Sequence, residues 1–219
     1  MKVHRLPVSE LSHVVSSVDG ISEGRQDEMA IPSYLHGNPL IRRLMWRRLD
    51  CIAEFLRTGN CASVLEFGCG IGVFLPTLCK LSRTVYAIDL VSAYARALAA
   101  NYGLDVTFVE DLRDVPAQSL DVIIAADVLE HIEDVPSCLA AFREKLSDGG
   151  RLIVSGPTEN IVYKIGREIA GFGKKGDYHK SNIDDLKAVI VSCGFRIMRS
   201  TNLPFAIPPH LFRIIEASR

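Results

Sequence analysis

Residues 66–72 read Glu66-Phe67-Gly68-Cys69-Gly70-Ile71-Gly72, three glycines at alternate positions behind an acidic residue. Glycines so spaced let the backbone approach a ligand closely, and a helix that follows offers N–H groups at its start. A dinucleotide fingerprint would be G-x-G-x-x-G, but position 73 is Val, so the third glycine falls one residue early. Glu66 would also repel a pyrophosphate, which disfavours an NAD(P)-dependent oxidoreductase. A ligand with a cationic end suits this loop better. Asp89, followed by Leu90, closes the next apolar run, and a carboxylate there can accept hydrogen bonds from both hydroxyls of a ribose. Asp111 and Leu112 close the run after that; they suit an adenine amino group and the face of its ring.

Two further segments carry titratable groups. Asp127-Val128-Leu129-Glu130-His131 follows an apolar run, and Asp177-Tyr178-His179-Lys180 precedes a late helical pattern. An imidazole titrates near neutral pH, so His131 and His179 are candidate general bases for a hydroxyl acceptor. Such a base is worth about 10²–10⁴-fold in rate. Tyr34, His36 and Tyr178 are candidates for contact with that acceptor. The six cysteines are scattered, with no C-x-x-C pair and no paired histidine spacing. They read as reduced thiols and predict neither a disulfide frame nor a metal site.

These residues have to be positioned by the elements around them. Short β-branched runs at 63–67, 84–88, 106–109, 121–125 and 151–155 alternate with helical stretches through Leu75, Leu78 and Leu81, over 92–102 and over 135–146. Gly149-Gly150 predicts a left-handed stop to the last of these helices. The alternation implies βαβ units and a parallel sheet covered on both faces. In such sheets ligands sit beyond the carboxyl ends of the strands, where Gly68, Asp89, Asp111 and Asp127 all fall. Ser181 or Asn182 caps a helix that stops at Gly194, and the runs at 195–200 and 211–217 predict an edge hairpin.

Residues 1–60 form a helical extension ahead of a domain over 61–219. Asn38-Pro39 predicts a helix start with proline at its first position. Leu40, Leu44, Ile52, Phe55 and Leu56 then recur at helical spacing as one apolar face. Arg42, Arg43, Arg47 and Arg48 crowd the helix's first half. They form either a solvated flank, or part of a lid whose arginines meet an anionic acceptor or make peripheral contact with a membrane. Residues 20–37 are expected to form the acceptor pocket or its lid, and deleting 1–37 is expected to spare cofactor binding. Gly171-Phe172-Gly173-Lys174-Lys175-Gly176 lies in a second candidate cover over 156–176.

Composition narrows the classes. The 219 residues are 48% hydrophobic and 23% charged, which is globular composition. Twenty-five basic against 26 acidic residues leave a formal charge of -1, unlike a dedicated nucleic-acid binder. No apolar run approaches the ~18 residues of a membrane span, and Met1-Lys2-Val3-His4-Arg5-Leu6-Pro7 does not lead into a signal-peptide core. A soluble, cytoplasmic α/β protein is expected.

With these residues in view, 64–72, 85–89, 110–112 and 121–131 together resemble the class I methyltransferases that use S-adenosylmethionine. Leu146-Ser147-Asp148-Gly149-Gly150-Arg151-Leu152 resembles that family's helix-to-strand turn. The resemblance covers residues 62–156 well and 178–217 loosely. It implies a Rossmann-like doubly wound sheet of seven strands, mostly parallel with an antiparallel last strand. It implies that Glu66, Gly68, Gly70 and Gly72 line the methionine side of the cofactor, that Asp89 and Leu90 border the ribose, and that Asp111 and Leu112 border the adenine. Asp127 and Val128 would face the methionyl part. No Pro-Pro-aromatic motif of amino-methylating DNA enzymes and no Pro-Cys dipeptide is present, so the chain looks like the branch acting on small molecules. The methylated atom, whether O, N or C, is left open. A regulatory or partner subunit that binds the cofactor without turnover is the non-enzymatic rival.

Overall fold

The computed structural model describes residues 2–22, 24, 26, 29, 31–158, 182–204 and 210–219. The chain divides into two compact units, Met1–Val115 and Pro116–Arg219.

In the first unit, β1 (Ser63–Phe67), β2 (Thr84–Ile88) and β3 (Thr107–Phe108) run parallel, with Val64 opposite Val85 and Tyr86 opposite Thr107. The third strand is shorter than the apolar run at 106–109 predicts. Helices α1 (Val8–Ser16), α2 (Ile31–Leu35), α3 (Pro39–Leu56), α4 (Leu75–Leu81) and α5 (Ala93–Tyr102) belong to the same unit. α3 starts where its chemistry dictates: Asn38 accepts from the Leu40 N–H, and Pro39 occupies a position with no N–H to lose. α5 ends on Gly103 in the left-handed conformation.

The second unit holds β4 (Leu120–Ala126), α6 (Val135–Lys145), β5 (Leu146–Pro157), α7 (Ile183–Ser192), β6 (Arg196–Leu203) and β7 (Phe212–Ser218). The seven strands are ordered β3-β2-β1-β4-β5-β7-β6, and β7 runs antiparallel to both β5 and β6. This is the expected seven-stranded, mostly parallel architecture. Asn182 begins α7 with a full capping box against Asp185. Among the described residues no helix is long and apolar enough to cross a membrane.

Three local expectations are corrected. Gly149-Gly150 does not cap α6, which already ends at Lys145. Leu146 is extended and pairs with Leu120, and pairing resumes only at Val122 with Arg151, so the glycines serve a bulge within the strand. Gly149 has φ +76°, and a Cβ on Gly150 would lie 2.9 Å from the Ser147 carbonyl oxygen. Leu40 is 70% exposed and lies outside the apolar face of α3, whose buried residues begin with Met45 and Trp46. Arg48 belongs to no solvated flank, being only 3% exposed.

The start of the chain is core, not tail. The Val3 N–H donates to Asp50 Oδ1 at 2.8 Å, Arg5 pairs with Asp50 Oδ2 at 2.8 Å, and the His4 N–H donates to Thr77 Oγ1 at 2.9 Å. Val3, Leu6, Leu11 and Val14 are buried. These bonds satisfy the buried carboxylate of Asp50 on α3, which would otherwise carry a large desolvation cost.

Candidate active site

The loop after β1 turns on glycines at φ +76° (Gly68), +53° (Gly70) and +81° (Gly72). Side chains rarely adopt this left-handed conformation. Gly72 is also closed sterically, since a Cβ there would lie 3.0 Å from the Cα of Ala95 on α5. It is therefore the residue that seats the loop against a helix. The loop is braced on the end of β2: the N–H groups of Gly68 and Cys69 both donate to the Ile88 carbonyl, at 2.8 and 3.1 Å.

Asp89 follows directly. Its Oδ2 accepts from the Gly70 N–H at 2.7 Å and its Oδ1 from the Val91 N–H at 3.0 Å. The structure thus brings together Glu66, the three glycines and Asp89, which the sequence had singled out separately. Leu90 beside them is 90% exposed.

Glu66 is buried, and its Oε2 has no hydrogen-bond partner among the described residues. Burial first, and the neighbouring Asp89 charge second, hold its carboxyl well above the ordinary carboxylate range. Burial with Glu66 and Asp89 nearby also pushes the Cys69 thiol well up, so it is no thiolate nucleophile. Two carboxyl groups interact here, one with a buried oxygen that has no hydrogen-bond partner among the described residues.

The segment ahead of α3 lies on this loop. A Cβ added to Gly70 would meet the Met29 carbonyl oxygen at 3.4 Å, and Gln26 Nε2 donates to the buried Tyr94 hydroxyl of α5 at 3.0 Å. Tyr34 is buried edge-on against Trp46, with ring centroids 5.3 Å apart, and accepts from Arg48 at 3.3 Å. Burial raises the Tyr34 phenol, Arg48 lowers it, and the Glu66 charge adds a smaller upward push, which places Tyr34 near Glu66. His36 works locally: its Nδ1 accepts from the Asn38 N–H at 2.9 Å. Sequence reasoning held Gln26 and Met29 only within the lid expected over 20–37 and missed Tyr94, because none carries a motif.

Asp111 caps a short turn, Leu112–Asp114, by accepting from the Arg113 N–H, and forms an ion pair with the Arg113 side chain at 2.8 Å. Leu112 is half-buried. In the second unit, Asp127 sits at φ +58°, uncommon for a side-chain-bearing residue and found disproportionately at functional sites. Ser155 of β5 holds it twice, its carbonyl accepting from the Asp127 N–H and its hydroxyl donating to Asp127 Oδ1, each at 2.9 Å. Ser155 was also missed, although it ends an apolar run where strand-end chemistry belongs. Val128 precedes the turn Leu129–His131, which half-buried His131 closes, its N–H donating to the Val128 carbonyl at 3.0 Å. Tyr178, His179 and the glycine–lysine stretch at 171–176 lie outside the described residues.

A groove of about 510 Å³ opens at the other ends of β1 and β2, lined by Leu56, Arg57, Asn60, Cys61, Leu81 and Arg83 among others. None of the residues singled out for chemistry lines it.

Residues 40–188 match the family described as a methyltransferase domain. The chain belongs to this family. Among curated members, it is 32% identical over 144 residues to the ubiquinone biosynthesis O-methyltransferase of Xanthomonas axonopodis pv. citri, covering 60% of each protein. It is 34% identical over 131 residues to the enzyme of the same name from Nitrosococcus oceani, covering 53% of this chain and 56% of that one. The mitochondrial enzyme of Schizosaccharomyces pombe is 26% identical over 140 residues, which are 59% of this chain and 51% of the relative. The methyltransferase-domain chain thus spans between half and three-fifths of the length of these relatives. Its fold is that of solved methyltransferases. The N-methyltransferase NodS of Bradyrhizobium japonicum, solved with S-adenosylhomocysteine, superposes with a TM-score of 0.67 at 17% identity, covering 90% of this chain and 97% of that one. The magnesium protoporphyrin IX methyltransferase of Synechocystis, also with S-adenosylhomocysteine, gives 0.62 at 22% identity, covering 96% and 93%.

Proposed function

We propose that this methyltransferase-domain protein transfers a methyl group from S-adenosylmethionine to a small-molecule acceptor, and that the acceptor atom is the oxygen of a hydroxyl. The single observation that carries the cofactor is the joined constellation of glycine loop, Asp89 and buried Glu66. Its unused carboxyl oxygen fits an ammonium or sulfonium and not a pyrophosphate. Oxygen as the acceptor is supported by the names of the curated relatives, ubiquinone biosynthesis O-methyltransferases.

When bound, the cofactor supplies a methyl group activated on sulfonium. The chain's own residues bind and orient it: Glu66 and the glycines at the methionyl end, Asp89 with Leu90 at the ribose, Asp111 and Leu112 at the adenine. The roles of Asp127 and Val128 at the methionyl part, of His131 and His179 as bases, and of Tyr34, His36 and Tyr178 at the acceptor rest on the sequence pattern. Positioning and exclusion of water supply much of the rate in such a displacement. The lid expected over residues 20–37 would serve exclusion, and of these Met29 lies against Gly70.

Incubation with methyl-labelled S-adenosylmethionine and a panel of catechols, amines and carbon acids tests this. Label on the catechol oxygen is expected. Cofactor binding with no transfer to any acceptor would favour the non-catalytic subunit.

A further inference from the structure

The mechanism above uses Glu66 as a static anion, but its surroundings point to more. It ends β1 almost wholly buried, at 5% exposure, with Oε2 unpartnered among the described residues. The groups around it come from every neighbouring element. Asp89 after β2 is an anion held in place by the Gly70 and Val91 N–H groups. Cys69 in the loop and Cys79 on α4 are thiols that feel its charge. Tyr34 on α2 is a neutral phenol at this depth, and the buried Arg48 on α3 donates to that phenol. Arg96 on α5 lies over the Phe108 ring, 4.7 Å from its centroid. An ionised Glu66 would therefore face Asp89 with a buried oxygen left unsatisfied among the described residues.

We propose that Glu66 makes cofactor binding proton-coupled: it is the neutral acid in the free protein and ionises against the cationic methionyl end of the cofactor, releasing one proton to solvent. This inference rests on the functional reading above. The balance is simple, with a carboxylic acid becoming a carboxylate and the proton going to buffer. The raised carboxyl described above supports it. The consequence is specificity: a ligand without a positive charge at that end cannot recover the cost of ionising Glu66.

Titration of the full chain with S-adenosylhomocysteine, which keeps the ammonium group, tests this by calorimetry in buffers of different ionisation enthalpy from pH 5 to 9. The wild type is expected to release up to one proton per ligand, with affinity rising up to tenfold per pH unit on the acid side and levelling above it. Glu66→Gln should bind with no such slope and no Glu66 proton to release. A second readout needs no variant: the infrared C=O stretch of a protonated carboxylic acid should be present in the free protein and lost on binding. Heats independent of buffer at every pH, an infrared band unchanged by ligand, or a Gln variant with the wild-type slope would each overturn the proposal. A folded wild type that binds no S-adenosylhomocysteine at any pH would instead contradict the functional reading itself.

Discussion

At Gly72 a methyl group has nowhere to go, because its nearest neighbour is the backbone of Ala95 and φ is +81°. Gly72→Ala is therefore expected to cost about 1–3 kcal/mol of stability from overpacking, with left-handed strain adding to it. Urea unfolding would read the loss. Asp89 accepts from the Gly70 N–H, and the proposed reading gives it the ribose. Asp89→Ala should cost about 1.5–3 kcal/mol of cofactor binding, the range for hydrogen bonds to a charged group. Unchanged affinity would place the ribose elsewhere. Glu66 also makes a stability prediction. Its carboxyl, raised well above its ordinary value near 4.5, keeps its proton in the folded chain over a pH span where the unfolded chain has lost it. Its contribution is complete below the unfolded value and is lost as pH rises through the folded one. Urea midpoints of the ligand-free wild type should thus fall more steeply with rising pH than those of Glu66→Gln. Parallel curves would show that Glu66 ionises normally.

Elements were legible wherever the cause is local. Asn38-Pro39 announces α3, Asn182 announces α7, and the alternation of β-branched runs with helices gives the parallel strands, because capping and strand periodicity act within a few residues. Features set by a distant partner were not legible. The burial of Arg48 depends on Tyr34, that of Asp50 on the backbone of Val3, and the role of Gly149-Gly150 on the register of β4 with β5. The same holds on the antiparallel side of the sheet, where Glu216 of β7 is buried between Arg151 of β5 at 2.6 Å and Arg199 of β6 at 2.5 Å. No spacing in the sequence marks that triad. Removing one partner of a buried ion pair costs about 3–5 kcal/mol, so Glu216→Ala should shift the urea midpoint strongly without touching the glycine loop. A midpoint within error of wild type would show that the triad contributes nothing net.

At the scale of the molecule, the N-terminal segment was expected to serve methyl transfer and not cofactor binding, and the structure shows that it is also part of the core. Val3, Leu6, Leu11 and Val14 are buried, and the first residues satisfy Asp50 and Thr77. Each such side chain is worth about 1.5–3 kcal/mol, set against a whole-protein stability of about 5–15 kcal/mol. Deleting residues 1–16 should therefore abolish cooperative thermal unfolding, and an intact transition would make the segment an appendage after all. The grouping proposed for the cofactor was legible, because Glu66, the glycines and Asp89 sit at strand ends, where open parallel sheets place their ligands. The individual contacts of the segment expected to cover it were not, since Met29 meets Gly70 and Gln26 meets Tyr94 through tertiary contact alone. The central claim is that this loop was built for a cationic adenosyl cofactor. Parallel calorimetric titration of the wild type with S-adenosylhomocysteine and with NADH tests it most directly. The account predicts micromolar binding of S-adenosylhomocysteine and no heat with NADH; tight NADH binding with none of S-adenosylhomocysteine would contradict it.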